Sequence, residues 1–436
     1  MKKLCLLILG TFLLFPFIVD AKTIEVSTGQ ELLNAISNAS ENDTIKLTSN
    51  ITLPEKATIN KSLTIDLNNH DVSHTTKVFE VTKGDVLFTG TGTIKETIPD
   101  NAAVKVFGST DPSDTNYSSL TVDKNVTLEG YIGAIVGYTA VKENGVNHYY
   151  SYGTTLTVKG KVNTLISAVD GTSGSGVYIN GNLKHTTNPA KINITSTAVI
   201  NSKGSAVYAA GYAIWNINGS TLIGEGSGIA VKAGTINLTN ATVKATGPFV
   251  EPTIQTNGID PTGSAIQIES NGSYAGSINI NINGGIYTSE NGYPILEYNK
   301  QGDPLKLEKM IINDGKFKSN AGKEAISSDL IKENKDSLVI KGGSFQSDVS
   351  KYVPDDLKMI KNSDGTYTIK EKETIPPKNN ENNNTNKDNK NTNKNKTYEI
   401  KNPQTYDSIT TYITLGIVSL LGISVTILSK KNKFNF

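Results

Sequence analysis

Arginine is missing from this chain: all 42 basic residues are lysine. With asparagine abundant throughout, that is the output of an AT-rich genome, so a single Lys or Asn carries little functional weight. Cysteine occurs once, as Cys5, inside an apolar run near the N-terminus. Without that run the chain has no thiol, no disulfide and no cysteine-based metal site. Aromatic residues make up only 7% of the 436, and the formal net charge is +1. A balance so close to neutral gives no reason to expect nucleic acid as a partner. Convincing helices are scarce as well. Residues 27–39 hold the single clear one after the N-terminal run, with Leu32, Leu33, Ile36 and Ala39 on one face and Thr28 with Glu31 as a capping box.

What the chain does have is a repeated four-residue phrase. Ile192-Asn193-Ile194-Thr195, Trp215-Asn216-Ile217-Asn218 and Ile236-Asn237-Leu238-Thr239 alternate apolar and polar residues, and each is followed by a further apolar position at Val199, Leu222 and Val243. A third apolar strand falls around Val207 and around Ile229 and Val231. Similar phrases start at Leu63, Val86, Leu120, Leu156, Ile278, Met310 and Leu338. A unit this short cannot bury its apolar face alone, whereas stacked copies can. The expected fold is therefore all-β, a right-handed parallel β-helix, with a β-sandwich as the alternative. Ile194, Ile217, Leu238 and Ile280 are expected to point inward in one column. Thr64, Thr121, Thr157, Asn193, Asn216, Asn237 and Asn279 are expected to form an outward polar ladder. The helix at 27–39 would cap the first rung. A hairpin around Asn362-Ser363-Asp364-Gly365 would close the last.

The domain order follows from composition. Residues 1–21 read as a secretory signal peptide, with Lys2 and Lys3, an apolar run and a Val19-Asp20-Ala21 cleavage site. A cap and irregular rung occupy 22–61, and the coil runs from 62 to 370. A Lys- and Asn-rich linker at 371–401 has almost nothing to bury. Residues 95–118, 138–152, 247–263 and 289–304 read as loop insertions, where binding sites on rigid scaffolds tend to lie. Their rings, Tyr149, Tyr150, Tyr152, Phe249, Tyr293 and Tyr298, are the candidate ligand contacts, since such rings pair an apolar face with a polar tip. The competing reading is that they pack their own loops onto the coil.

Three stretches carry a resemblance. The segments Gln30-Glu31-Leu32-Leu33-Asn34-Ala35-Ile36, Asp43-Thr44-Ile45-Lys46-Leu47 and Lys61-Ser62-Leu63-Thr64-Ile65-Asp66-Leu67 resemble the opening of pectate-lyase-like β-helix surface proteins. Gly342-Gly343-Ser344-Phe345-Gln346-Ser347 is similar to a terminal phrase of bacterial surface repeats. At the C-terminus, Asn402-Pro403-Gln404-Thr405 precedes an apolar run at 413–428 and Lys430, Lys431 and Lys433, an order that resembles a sortase sorting signal. Tyr406 departs from that pattern. A plain retained transmembrane anchor with internal lysines is the alternative.

Taken together, these features are read as a monomer displayed on the cell surface, acting as an adhesin or structural element. Its partners would be a sortase-like transpeptidase, peptidoglycan or membrane, and an extracellular glycan or protein. A polysaccharide lyase or glycoside hydrolase is the runner-up. Lyases of this fold commonly use an arginine base, which this chain lacks, and its acids are scattered along the rungs rather than paired. No catalytic residue, metal site or cofactor is expected. His70 and His74 fall in a strand-and-turn region, and Asp355-Asp356 near the end of the stack.

Overall fold

The computed structural model describes residues 21–98, 101–165, 174–255, 258–329 and 335–372. Through these the chain winds as a parallel β-helix. Each full turn lays down up to three short strands, one on each of three sheets. Ala190–Ile194, Ala213–Asn218 and Gly234–Thr239 stack in parallel on the first sheet. Val199–Ser202, Thr221–Gly224 and Thr242–Ala245 stack on the second. Ser205–Ala209, Ser227–Val231 and Ile266–Glu269 stack on the third.

Period-two alternation explains why these segments are strands. In Ala190–Ile194 the residues Ala190, Ile192 and Ile194 are buried, while Lys191 is exposed and Asn193 half-buried. Register then lines up equivalent residues: Leu156, Ile192, Trp215, Ile236, Ile280, Met310 and Leu338 form one inward column. All seven are 0–1% exposed, and each such apolar side chain contributes about 1.5–3 kcal/mol by leaving water. On the second sheet Tyr287, Phe317 and Phe345 stack with centroids 4.8 and 4.9 Å apart and planes within 8° and 3°. That is the rung spacing of paired strands, so ring stacking and backbone pairing reinforce each other.

The corners between first and second sheets are sharp and need left-handed backbone. Gly219 (φ 65°) and Asn240 (φ 49°) occupy them in neighbouring rungs, residues for which that region is accessible. In two later rungs the chain passes the corner without leaving the sheet, as the long strands Ile278–Ser289 and Leu307–Ser319. Register shifts flank the bend at Gly284 and Gly285, whose φ values are 82° and 103°. The first two sheets thereby merge into one 23-stranded sheet, while the third remains a separate sheet of ten strands.

Both caps take the expected form. Helix Gly29–Asn38 has Thr28 as N-cap, with the reciprocal Thr28–Glu31 capping box, and buries Leu32, Ala35 and Ile36. At the other end Leu357–Lys361 and Tyr367–Glu371 form an antiparallel hairpin. Its second strand pairs with the last rung through Phe345 and Tyr367, covering an edge that would otherwise stay open.

Three expectations need correction. The phrase placed at Ile278 starts at Ile280, because Ile236 pairs with Ile280 and Asn237 with Asn281. The polar ladder accordingly continues through Asn281 rather than Asn279. Leu238 is continued inward by Ile282, and Ile280 belongs to the adjacent inward column. A two-residue slip keeps every side chain on its face, so alternation alone could not detect it. Finally, residues 95–118 and 289–304 are not pure insertions. Each contains a third-sheet strand, Val104–Val106 and Ile295–Tyr298.

Among the described residues no helix is long and apolar enough to cross a membrane. The expected signal peptide, nearly all of the linker, and the motif Asn402, Pro403, Gln404 and Thr405 lie outside the described residues.

Candidate functional site

The outward sides of the sheets differ, and the rings divide accordingly. On the first sheet asparagine amides bond from rung to rung: Asn216 Nδ2 to Asn193 Oδ1 (3.0 Å), Asn237 to Asn216 (3.1 Å) and Asn281 to Asn237 (2.9 Å). Each amide donates to one neighbour and accepts from the next, so parallel stacking satisfies them in series. The outer row beside this ladder holds Asp66, Thr89, Asp123 and Lys159 in register. Among the described residues no cluster of three or more His, Cys, Asp or Glu stands together. His74 binds the Lys77 carbonyl through Nδ1 (2.9 Å), and Asp355-Asp356 form a turn.

On the third sheet the outward side is covered. Residues 258–262 lie over it, pinned by Gln267, which donates to the Asp260 carbonyl (2.7 Å) and the Tyr298 hydroxyl (2.8 Å). Thr262 donates to Gln267 Oε1 (3.0 Å). Asp260 accepts from the Thr253 N–H (2.6 Å) and the Gln255 amide (2.8 Å). Tyr298 is 1% exposed, and burial beside the Glu269 carboxylate pushes its phenol well above the ordinary range. It belongs to this polar network, not to a loop contact surface. Lys232 and Glu269 form an ion pair at 2.9 Å. Tyr178 and Tyr208 stack in register at 5.2 Å.

The tyrosines of 138–152 sit at the base of a hairpin, Thr139–Glu143 with Val146–Tyr150. Tyr149 meets Tyr138 edge-on at 4.5 Å. Tyr150 stacks on Tyr152 at 5.7 Å, and Tyr152 lies 4.2 Å from His185. The His185 Nδ1 donates to the Thr187 carbonyl (3.1 Å), while Nε2 accepts the Ser151 N–H (3.2 Å). Burial holds this imidazole below its ordinary pKa of 6.5. Tyr152 is buried. Tyr149 packs against the core of the coil at the base of the hairpin.

Phe249 and Tyr293 behave differently. They come from successive rungs, meet edge-on at 5.5 Å, and both remain half-buried. The Lys323 ammonium, from the following rung, lies 3.9 Å from the Phe249 centroid and 4.8 Å from that of Tyr293. A groove of about 340 Å³ is lined by Lys203, Glu225, Thr246, Pro248, Val250 and Pro261, which include the chain neighbours of Phe249 and not the rings themselves. Val250 and Ile254 of the same loop are 37% and 67% exposed. A second groove, about 450 Å³, runs over Asp71, Thr93, Thr127 and Lys161 and has no ring in it. Lys323 and His185 were not anticipated as ring partners. Each comes from a different rung from the rings it touches, and nothing in the local sequence marks either.

No model of a known protein family matches this chain, and no curated protein matches it. The likeness to pectate-lyase-like surface proteins therefore rests on the segments quoted above. The stacked parallel coil is the part of that likeness seen in the structure.

Proposed function

We propose that the protein is a surface-displayed, non-catalytic β-helix that binds an extracellular glycan through the Phe249–Tyr293 platform. The observation that carries this reading is the pair of half-buried rings with Lys323 across them, held on successive rungs. Aromatic faces stack on the C–H faces of sugars at little conformational cost, and a rigid scaffold keeps that cost low. The secretion signal and the Asn402–Thr405 motif expected from the sequence support display outside the cell. The pectate-lyase-like likeness and the sortase reading belong to this proposal, as do attachment to peptidoglycan or membrane and a monomeric state.

A glycan array probed with the full chain tests it. Phe249→Ala with Tyr293→Ala should reduce the signal at least about tenfold, the loss of roughly 1.4 kcal/mol of stacking. Lys323→Ala uncovers both rings and should raise binding of neutral sugars. An array with no hits, or hits indifferent to both rings, overturns the platform.

A further inference from the structure

We propose that Lys232 and Asn271 are joined by an amide bond formed by the protein itself, with Glu269 as the proton carrier. The starting point is a buried group that ordinary packing does not explain. Lys232 is 0% exposed, and its Nζ makes no directed hydrogen bond. Its polar contact is Glu269 Oε2 at 2.9 Å, and the Tyr274 ring lies 4.4 Å away. The other oxygen of that carboxylate, Oε1, accepts Asn271 Nδ2 at 3.0 Å. One carboxylate, 1% exposed, thus holds an amine on one side and a carboxamide, 2% exposed, on the other.

The coil places them. Val231 pairs with Ile268 on the third sheet, so the next residues, Lys232 and Glu269, are cross-rung neighbours on its outward side. Asn271 follows two residues on. The turn carrying it is fixed by the Gly272 N–H on Asp303 (2.6 Å) and by Lys184 and Lys306, which donate to the Ser273 and Tyr274 carbonyls. The Ser273 N–H donates to Asn271 Oδ1 at 3.0 Å. That is a donor aimed at the oxygen on which charge would develop during attack at Cγ. Nucleophile, proton carrier, electrophile and oxyanion donor are gathered around one buried carboxylate, where separated charges are costly and a tethered amine needs no bimolecular encounter.

The step balances without a co-reactant. Lys232 gives a proton to Glu269, and the free amine attacks Asn271 Cγ. The new C–N bond forms as the Cγ–Nδ2 bond breaks. Two of the ammonium protons of Lys232, relayed through Glu269, leave with Nδ2 as ammonium, and Glu269 returns to carboxylate. The product ties adjacent rungs together, in a protein whose sole cysteine is Cys5.

Peptide mass spectrometry of the full chain decides. Trypsin should fail to cut after Lys232, and the peptide containing it should be branched to the one containing Asn271, lighter by one ammonia. Glu269→Gln should restore the cleavage and the sequence mass. Unmodified peptides cut at Lys232 overturn the proposal whatever any variant does. A branch lighter by one water, joining Lys232 to Glu269, overturns Asn271 as the acyl group. A branch that persists in Glu269→Gln overturns the proton-carrier role.

Discussion

The outward sides of the first and third sheets are made of the same kind of backbone and have opposite fates. On the first, burial alternates, as in Gly234–Thr239, where Thr235 and Asn237 are half-buried between buried neighbours. On the third, Ser205–Ala209 and Ser227–Val231 are buried at every position. The inward columns do not differ in kind, so the difference comes from what covers each sheet. The small outward residue Ala230 lets Ile259 and the Tyr208 and Tyr274 rings pack over the third sheet. The first sheet carries amides that satisfy one another and need no cover. One coil thus supports a solvated face and a second, smaller core.

Paired charge substitutions at adjacent positions probe this most strongly. Leu238→Asp should destabilise the fold by about 3–5 kcal/mol, since it leaves an unpaired charge in the core. Its neighbour Asn237→Asp should cost about 1 kcal/mol or less. On the third sheet both members of the pair should be severe: Val231→Asp inward and Ala230→Asp outward, each at about 3–5 kcal/mol. Denaturant midpoints in which Ala230→Asp is as mild as Asn237→Asp would show that the third sheet is not covered.

The next effect separates the faces by pH. The ladder amides do not titrate, whereas His185 stands with the hairpin rings. Its folded pKa lies below 6.5 through burial. The unfolded chain therefore takes up a proton near pH 6.5 while the folded one resists. Stability contributed above 6.5 is lost as pH falls through and below it, because the unfolded state then binds more protons. His185→Asn should flatten that part of the thermal-midpoint profile; an unchanged slope assigns the loss elsewhere.

The smallest effect concerns the ladder itself. Asn216→Ala removes two amide–amide bonds and should cost about 0.5–1.5 kcal/mol. A loss above about 3 kcal/mol would mean that the ladder, and not the inward columns, holds the first sheet together.

The sequence by itself determined the coil. The alternation in Ile192-Asn193-Ile194-Thr195, repeated at Trp215 and Ile236, sets which residues face inward, because strand geometry has period two and needs no other information. The Thr28–Glu31 capping box and the turn at Asn362-Ser363-Asp364-Gly365 are equally local, and so both caps were legible. Only the tertiary structure decided register and cover. The start at Ile280 rather than Ile278 depends on which rung strand Ile278–Ser289 meets, since a two-residue slip leaves its pattern unchanged. Tyr298 and Tyr293, five residues apart, read alike as loop tyrosines. One sits on a covered strand and the other is half-buried, because residues 258–262 descend over the first. Lys232, Glu269 and Asn271 carry no motif, since the chain between Lys232 and Glu269 makes a full turn with an insertion of no fixed length. Their meeting is set by the pairing of Val231 with Ile268, a contact between rungs that no local pattern encodes.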